Sequence, residues 1–152
     1  MNKARRLNRV LAALFNNVLK AEEAVVKKAR AYNLTVTEVH TLEAIGKDGA
    51  KTMTFVADIL KINVSTLTAA INKLVTKGYV NRFGIPEDRR IVMVELTETG
   101  IRAVRQHEAF RLILLRNALS KLTPEETERL IGSLENVNEF MLGRLDKRKQ
   151  DQ

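Results

Sequence analysis

The spacing of apolar residues changes twice along the chain, and these two changes restrict the fold more than any other feature. Residues 79–83 and 91–96 are rich in β-branched, aromatic and aliphatic side chains, and the polar turn 84–90 separates them. This pattern predicts a β-hairpin with a longer loop. Before Gly78 and after Thr97 the apolar residues recur at three- and four-residue steps, which is typical of amphipathic helices. The sequence therefore predicts a mainly α fold with one small β-hairpin.

Local signals place the ends of several predicted helices. Thr35 followed by Glu38 is a capping box, in which each side chain accepts the other residue's backbone N–H. Asn63 is a typical N-cap, and Thr123 before Pro124 is typical of a helix start. Only two Pro and seven Gly occur in 152 residues, so long uninterrupted helices are expected. The predicted helices span about residues 3–31, 35–45, 52–60, 63–77, 97–119 and 123–145, and a frayed polar tail follows from residue 146.

The first and last helices are long, and they lie at opposite ends of the chain. Their apolar stripes are wider than a small central unit could cover, and an intertwined homodimer would bury them. We therefore expect residues 1–34 and 97–152 to form a helical dimerisation region around a central domain, residues 35–96.

Composition argues against several classes of protein. The chain has no Cys and only two His, with no metal-ligand spacing, so neither a metal nor a cofactor is expected. The sequence offers no nucleophile–base pair and no Gly-rich phosphate loop, which argues against an enzyme. It contains no apolar run of about 18 residues and no secretory signal, so we expect a soluble cytoplasmic protein without membrane contact.

Positive charge is concentrated in particular segments of a chain whose net charge is +8. Residues 1–20 contain five cations and no acid, and residues 51–90 contain seven cations against three acids. Residues 91–152 contain ten of each and sum to zero. This distribution suggests a polyanionic partner such as DNA, RNA, an anionic membrane or an acidic protein, although a solubilising surface explains it equally well.

The remaining titratable residues are interpreted as structural. His40 lies near the apolar face of the second helix and is expected to be a hydrogen-bonded structural histidine. His107 and the neighbours Glu22 and Glu23 are expected on helix surfaces.

The predicted helices 52–60 and 63–77 are separated by a tight turn and form a helix-turn-helix, whose second helix enters the DNA major groove. The residues predicted to face the core are Phe55, Val56, Ile59 and Leu60 in the first helix and Leu67, Ile71 and Leu74 in the second. The opposite face is polar and suits contacts to bases or phosphates. The candidate DNA-binding residues are Thr52, Ser65, Thr66, Thr68, Ala69, Asn72 and Lys73. Alternatively, the Ser and Thr residues only cap the helix.

The hairpin turn places an acid beside two arginines. A planar guanidinium fits a narrow and strongly negative minor groove, and a neighbouring carboxylate can hold it extended. We therefore assign groove insertion to Arg90 and its orientation to Asp88, and we expect Arg82 and Arg89 to contact phosphates. The alternative is a solvated turn whose ion pair contributes little. With the preceding helices, this hairpin predicts a winged helix-turn-helix whose partner is double-stranded DNA.

Residues 52–100 contain an ordered set of short motifs: Val56-Ala57-Asp58-Ile59-Leu60, Ser65-Thr66-Leu67-Thr68, Leu74 with Lys77-Gly78-Tyr79-Val80 and Arg82, Asp88-Arg89-Arg90, and Leu96-Thr97 with Gly100. Taken together, they resemble the MarR (multiple-antibiotic-resistance regulator) family. The resemblance implies a homodimeric repressor on a pseudo-palindromic operator, dimerised by the first and last two helices. Two positions depart from the family's pattern: Lys61 stands where Gly is usual, and Ala69 where Arg is frequent. We therefore expect A·T-rich, shape-dependent recognition in which the wing contributes much.

Two further segments resemble the fatty-acid-synthesis repressors of Gram-positive bacteria. They are Leu14-Phe15-Asn16-Asn17-Val18-Leu19 with Glu22-Glu23, and Glu38 with His40-Thr41 and Ile45-Gly46-Lys47. This resemblance implies that a long-chain acyl group on acyl carrier protein acts as co-repressor. The candidate residues for an apolar acyl slot are Phe15, Leu19, Leu42, Phe110 and Leu114, although plain core or dimer interface explains each of them too. The acidic carrier protein could dock on Lys3, Arg5, Arg6 and Arg9, which an ordinary solvated helix face explains equally well.

Two alternatives stay open. A small phenolic or amphipathic effector would release DNA, whereas acyl carrier protein would tighten its binding, so the two effectors predict opposite signs. A winged-helix module that binds acidic proteins instead of specific DNA is the second alternative.

Overall fold

The computed structural model describes residues 2–28, 33–88 and 90–150. In chain order its elements are α1 (Lys3–Lys28), α2 (Val36–Ile45), β1 (Lys51–Thr52), α3 (Met53–Leu60), α4 (Val64–Thr76), β2 (Val80–Gly84), β3 (Val92–Leu96), α5 (Glu98–Leu119) and α6 (Pro124–Gln150). The predicted mainly α fold with a β-hairpin is confirmed. The frayed tail from residue 146 is wrong, because α6 continues to Gln150. The predicted end of the first helix lies outside the described residues.

Two predicted helix caps are formed by hydrogen bonds between residues three positions apart in the chain. Thr35 Oγ1 accepts the Glu38 N–H at 3.2 Å, and Glu38 Oε2 accepts the Thr35 N–H at 2.8 Å. Thr123 and Glu126 repeat this reciprocal pair at the start of α6, at 2.9 and 3.2 Å. Each pair satisfies two backbone donors that a helix start leaves open, which fixes where the helix begins.

The sheet has three antiparallel strands in the order β1-β3-β2. The hairpin pairs Val80 with Leu96 and Gly84 with Val92, and β1 adds Thr52 opposite Met93 on the other edge of β3. The sequence did not predict β1. A strand of two residues has no alternation to detect, and only its pairing with β3 defines it.

The hydrophobic core joins α2, α3 and α4 to the inner face of the sheet, and its fully buried members include Leu42, Ile45, Val56, Leu67, Ile71, Leu74 and Val94. The inward positions predicted for α4 are therefore confirmed. Those predicted for α3 are half wrong, because Phe55 and Ile59 are 51% and 49% exposed. Met53, Val56 and Ala57 occupy the single face that this eight-residue helix buries, at the three- and four-residue spacing of one helix side.

Lys61 stands in the turn between α3 and α4, at the position where a glycine is usual. It adopts the left-handed conformation, with φ 54° and ψ 35°. The Lys61 N–H donates to the Asp58 carbonyl and the Ile62 N–H to the Ala57 carbonyl, both at 3.1 Å. These bonds close the C-terminus of α3 as a glycine would, at a cost of about 1–2 kcal/mol for a residue with a Cβ.

The start of α5 lies against the junction of α4 and β2. Thr97 Oγ1 donates to the Gly78 carbonyl at 2.7 Å, and the Thr97 N–H donates to the Tyr79 carbonyl at 3.0 Å. Gly100 is buried one turn further, where a Cβ would lie 2.3 Å from the Tyr79 carbonyl oxygen. Only a residue without a Cβ allows this close approach.

Two histidine–glutamate pairs connect α2 to α1 and α5. His40 Nε2 lies 3.3 Å from Glu22 Oε2, and His107 Nδ1 lies 3.0 Å from Glu43 Oε1. The predicted structural role of His40 agrees with its contact. The surface positions predicted for His107 and Glu22 are wrong, since both side chains are buried. The sequence suggested that these polar residues face solvent, because their helices carry many charges. They are buried because α2 packs against them.

The chain divides into two compact units, residues 1–110 and residues 111–152, and the second consists of the end of α5 and α6. The dimerisation and DNA-binding regions expected from the sequence are functional divisions and stay predictions. Within the described ranges no single helix is long and apolar enough to cross a membrane, although the bent pair α3 and α4 would pass that test together.

Candidate nucleic-acid interface

The polar face of α4 is presented by a helix whose other side is anchored in the core. Asn63 caps the helix, and its side chain accepts the Thr66 N–H at 2.8 Å. Leu67, Ile71 and Leu74 hold the inner face. Ser65, Thr66, Ala69, Asn72 and Lys73 are exposed and Thr68 is half-buried on the outer face. The structure therefore places all six predicted α4 residues on the surface that a DNA groove could reach.

Thr52 has a structural role in addition to its predicted one. Its Oγ1 accepts the Phe55 N–H at 3.1 Å and caps α3, while its backbone belongs to β1. Thr52 is therefore the residue at which strand β1 ends and helix α3 begins.

Strand register explains where Arg82 lies. Arg82 is directly opposite Val94, which is fully buried, so both side chains lie on the same face of the sheet. Arg82 itself is exposed, although Val94 beside it is fully buried. Arg82 lines a surface that residues of α3 and α4 also line.

The tip of the wing differs in detail from the predicted arrangement. Asp88 Oδ1 accepts the backbone N–H of Arg90 at 2.9 Å. This bond to the main chain folds the turn, whereas the predicted bond to the Arg90 guanidinium would have oriented the side chain. Arg89 lies outside the described residues. Insertion of Arg90 into the minor groove stays a prediction.

A cleft brings the helix-turn-helix and the wing together. Its lining residues are Thr52, Met53, Thr54, Val64, Thr68, Arg82, Arg90, Ile91 and Val92. Four of the predicted DNA-binding residues, from positions as distant as 52 and 90, therefore share one concave surface. It combines two guanidinium groups with threonine hydroxyls, a composition suited to a nucleic-acid backbone.

Sequence reasoning missed Thr54 and Val64 in this cleft. Both are exposed residues in the first turns of α3 and α4, and their position next to a helix N-cap was the signal that could have identified them. Asn72 and Lys73 line a separate shallow surface further along α4.

Lys77, which caps the end of α4, borders the shallow surface of Asn72 and Lys73 but not the cleft, and its ammonium group is engaged in the fold. Its Nζ donates to both Glu38 carboxylate oxygens and to the Asn33 carbonyl, each at 2.8 Å. Partial burial raises the pKa of Glu38, but hydrogen bonds from Lys77 and Thr35 more than offset it, so the pKa is lowered. The pair connects the start of α2 to the end of α4.

The five residues predicted for an effector pocket have different environments. Phe15 and Leu19 are 63% and 50% exposed on α1, whereas Leu42 is fully buried in the core. Phe110 and Leu114 are half-buried on α5. An apolar cavity does lie between α1, α2 and α5, but its lining residues are Val25, Val26, Leu34, Val39, Ala103, Gln106 and His107.

Comparisons with known proteins agree with this geometry. The MarR family model matches residues 34–92. The transcriptional regulator YpoP of Bacillus subtilis is 31% identical over 97 residues, which cover 64% of this chain and 68% of YpoP. The regulator PecS of Dickeya dadantii is 28% identical over 136 residues, covering 88% and 82% of the two chains.

A similar solved structure is FabT of Streptococcus pneumoniae, which was crystallised in complex with DNA. It is 30% identical with a TM-score of 0.86, and the match covers 93% of this chain and 99% of that one. Escherichia coli MarR, in a mutant crystallised with operator DNA, has the same fold at 23% identity and a TM-score of 0.72. The chain belongs to the MarR family, as a transcriptional regulator and not an enzyme.

Proposed function

We propose that this protein is a homodimeric repressor that binds a pseudo-palindromic DNA operator through α4 and the wing. The observation that carries the proposal is the cleft in which Thr52 and Thr68 of the helix-turn-helix meet Arg82 and Arg90 of the wing. In this arrangement α4 enters the major groove, the two arginines contact the backbone and the adjacent minor groove, and the helix-turn-helix sets the register. The relatives crystallised with DNA support this reading.

Exposed apolar side chains support the homodimer. Six large apolar residues of α1 are exposed: Leu7, Val10, Leu14, Phe15, Val18 and Leu19. α6 by itself exposes a second series: Leu130, Ile131, Leu134, Val137, Phe140, Met141 and Leu142. Monomeric proteins rarely leave contiguous apolar surfaces of this kind in water. A second copy of the chain would cover them, and its two-fold symmetry would require two half-sites about one helical turn (~34–36 Å) apart.

Binding to selected DNA tests this function. Duplexes are enriched from a random library, and their affinity is compared with that for random-sequence DNA at fixed salt. We expect a palindromic consensus and at least about a thousandfold preference for it. Equal affinity for both DNAs would refute the operator function and favour a winged-helix module that binds acidic proteins.

We further propose that the regulated genes direct fatty-acid synthesis and that acyl carrier protein bearing a long acyl chain is the co-repressor. The resemblance of residues 14–23 and 38–47 to fatty-acid-synthesis repressors supports this assignment. Lys3, Arg5, Arg6 and Arg9 are exposed on the first turns of α1, without an acid among them, and they suit an acidic carrier protein. The apolar cavity between α1, α2 and α5 measures about 20 Å³, so it would have to widen to admit a long acyl chain.

The sign of the effector response tests the co-repressor. Long-chain acyl carrier protein is titrated into a fixed complex of the protein with its selected duplex, and a salicylate-like phenol is titrated in parallel. We expect the acylated carrier protein to tighten DNA binding and the unacylated form to have no effect. Release of DNA by the phenol, without a response to the carrier protein, would instead identify a small-molecule inducer.

A further inference from the structure

Two hydroxyl groups on the outer face of α4 already use their hydrogens inside the helix. Ser65 Oγ donates to Asn63 Oδ1 at 2.8 Å. Thr68 Oγ1 donates to the Val64 carbonyl oxygen, also at 2.8 Å. An amide or carbonyl oxygen has no hydrogen to give, so the hydrogen in each bond comes from the hydroxyl group.

The identity of the Asn63 oxygen follows from the helix cap. The backbone N–H of Thr66 donates to the same Asn63 atom at 2.8 Å. The side-chain NH₂ group of asparagine cannot accept this bond, so the capping atom is the carbonyl oxygen. The cap therefore fixes the direction of the Ser65 hydroxyl as well as the start of the helix.

The conformation of Thr68 is one that threonine prefers. In helices its χ1 angle divides between two rotamers, because one of them lets Oγ1 bond a carbonyl in the preceding turn. Turning this hydroxyl toward a neutral acceptor on a base would exchange a bond already made for one of the same kind. The inward bond is therefore expected to persist when DNA is bound.

The chemical consequence is that both hydroxyl groups offer only lone pairs to an approaching groove. Phosphate oxygens, guanine O6 and N7, and thymine O4 are also acceptors, so they find no donor at these positions. The donors on the major-groove edges are the N6 amine of adenine and the N4 amine of cytosine.

We propose that Ser65 and Thr68 are specificity-determining acceptors that select an adenine or cytosine amine at the base positions they face. Ser65, Thr68, Ala69 and Asn72 follow one another at i, i+3, i+4 and i+7, so they form one stripe along α4. In this arrangement cationic side chains, above all Arg82 of the cleft, make the contacts to phosphates. This inference rests on the proposed operator binding, with α4 as the recognition helix.

Base analogues test the proposal atom by atom. In the selected duplex each adenine is replaced singly by purine, which lacks the 6-amino group, or by 7-deazaadenine, which lacks N7. Each cytosine is replaced singly by the analogue without its 4-amino group. Affinities are measured for the wild type and for Thr68→Val, which removes the hydroxyl group at nearly constant volume.

Thr76→Val is the matched control. Thr76 Oγ1 donates to the Asn72 carbonyl at 3.0 Å, so this variant loses the same kind of intrahelical bond at the C-terminal end of the same helix. Because base contacts come from the N-terminal residues of a recognition helix, Thr76→Val should keep the wild-type response to every analogue.

For Thr68 we expect one adenine or cytosine per half-site at which loss of the amine weakens wild-type binding about two- to tenfold, as for one hydrogen bond. Thr68→Val should abolish this response, and removal of N7 at the same base should have no effect. Any amine that faces Ser65 should respond in the wild type and keep its response in Thr68→Val. A response to N7 removal that Thr68→Val abolishes would show that the hydroxyl donates, and would overturn the inference. So would an equal loss of affinity on every duplex, selected or random, because phosphate oxygens are present at every base step and carry no sequence information. No preference for the selected duplex over random DNA would instead refute the operator function itself, and this inference with it.

Discussion

Replacing Gly100 by alanine is expected to destabilise the protein, although alanine is the better helix former. Gly100 is the third residue of α5, and the added Cβ would lie 2.3 Å from the Tyr79 carbonyl oxygen and 3.4 Å from the Leu96 Cβ. Carbon and oxygen atoms that are not bonded rarely approach within about 3 Å, so α5 or the backbone of Tyr79 would have to move.

The possible movement is limited by hydrogen bonds on both sides. The Tyr79 carbonyl accepts the Thr97 N–H at 3.0 Å, and the Tyr79 N–H donates to the Leu74 carbonyl at 2.9 Å. Overpacking of this kind costs about 1–3 kcal/mol. Without a clash, Gly→Ala inside a helix would stabilise by about 0.5–1 kcal/mol. The difference is a net loss of up to about 2.5 kcal/mol, and the sign of the measured change shows whether the clash or the helix propensity dominates.

Thermal unfolding followed by circular dichroism measures this change at a fixed protein concentration. A loss of about 2 kcal/mol corresponds to a fall in Tm of about 4–8 °C for a chain of this size. Glu98→Ala is the control, since it places alanine two residues away at an exposed position and should change stability by no more than about 0.5 kcal/mol. A Tm for Gly100→Ala that equals or exceeds the wild-type value would refute the reasoning.

Four further substitutions test the interface, the dimer and the fold. Arg90→Ala should weaken binding to the selected operator by about 1–3 kcal/mol in fluorescence anisotropy, and unchanged affinity would exclude groove insertion by this residue. Lys73→Ala should lower the salt slope of binding by about one unit without altering base preference, whereas a changed preference would contradict a phosphate contact. Leu134→Glu should lower the free energy of homodimer dissociation by roughly 2 kcal/mol or more, measured by analytical ultracentrifugation, because it places a charge on an apolar surface. Lys77→Met should lower the free energy of unfolding by about 1–2 kcal/mol at pH 7. Because the pKa of Glu38 is lowered in the folded state, this difference is present above the ordinary pKa of 4.5 and should shrink as the pH falls below it. Urea unfolding at pH 7 and 3.5 checks it, and a constant difference would contradict the assignment.

Features set by interactions within one turn of chain could be predicted from the sequence. The capping box at Thr35, the N-cap at Asn63 and the inward stripe through Leu67 depend on residues three or four positions apart. The hairpin was predicted from two runs of β-branched, aromatic and aliphatic residues around the polar turn 84–90, and the strand pairing confirms it. These signals also identified the exposed face of α4, because the buried positions of a helix determine its opposite side.

Features that depend on contacts between distant segments were decided only by the tertiary structure. His107 is buried because α2 covers it with Glu43, 64 positions earlier in the chain. Phe55 is exposed because the face of α3 that packs on the core carries Met53, Val56 and Ala57 instead. Thr52 and Arg90 share one cleft because β1 pairs with β3.

In the wing and the recognition helix, the sequence predicted the positions of residues, and the structure decided the hydrogen bonds of their atoms. The sequence determined that Asp88 and Arg90 lie near each other and that Ser65 and Thr68 face outward. The structure decided which atoms are already bonded: Asp88 holds the main chain of the turn, and both hydroxyl groups donate inside α4. The number of donors on a side chain follows from its chemistry, but the number left for DNA depends on backbone geometry that residue types alone do not specify.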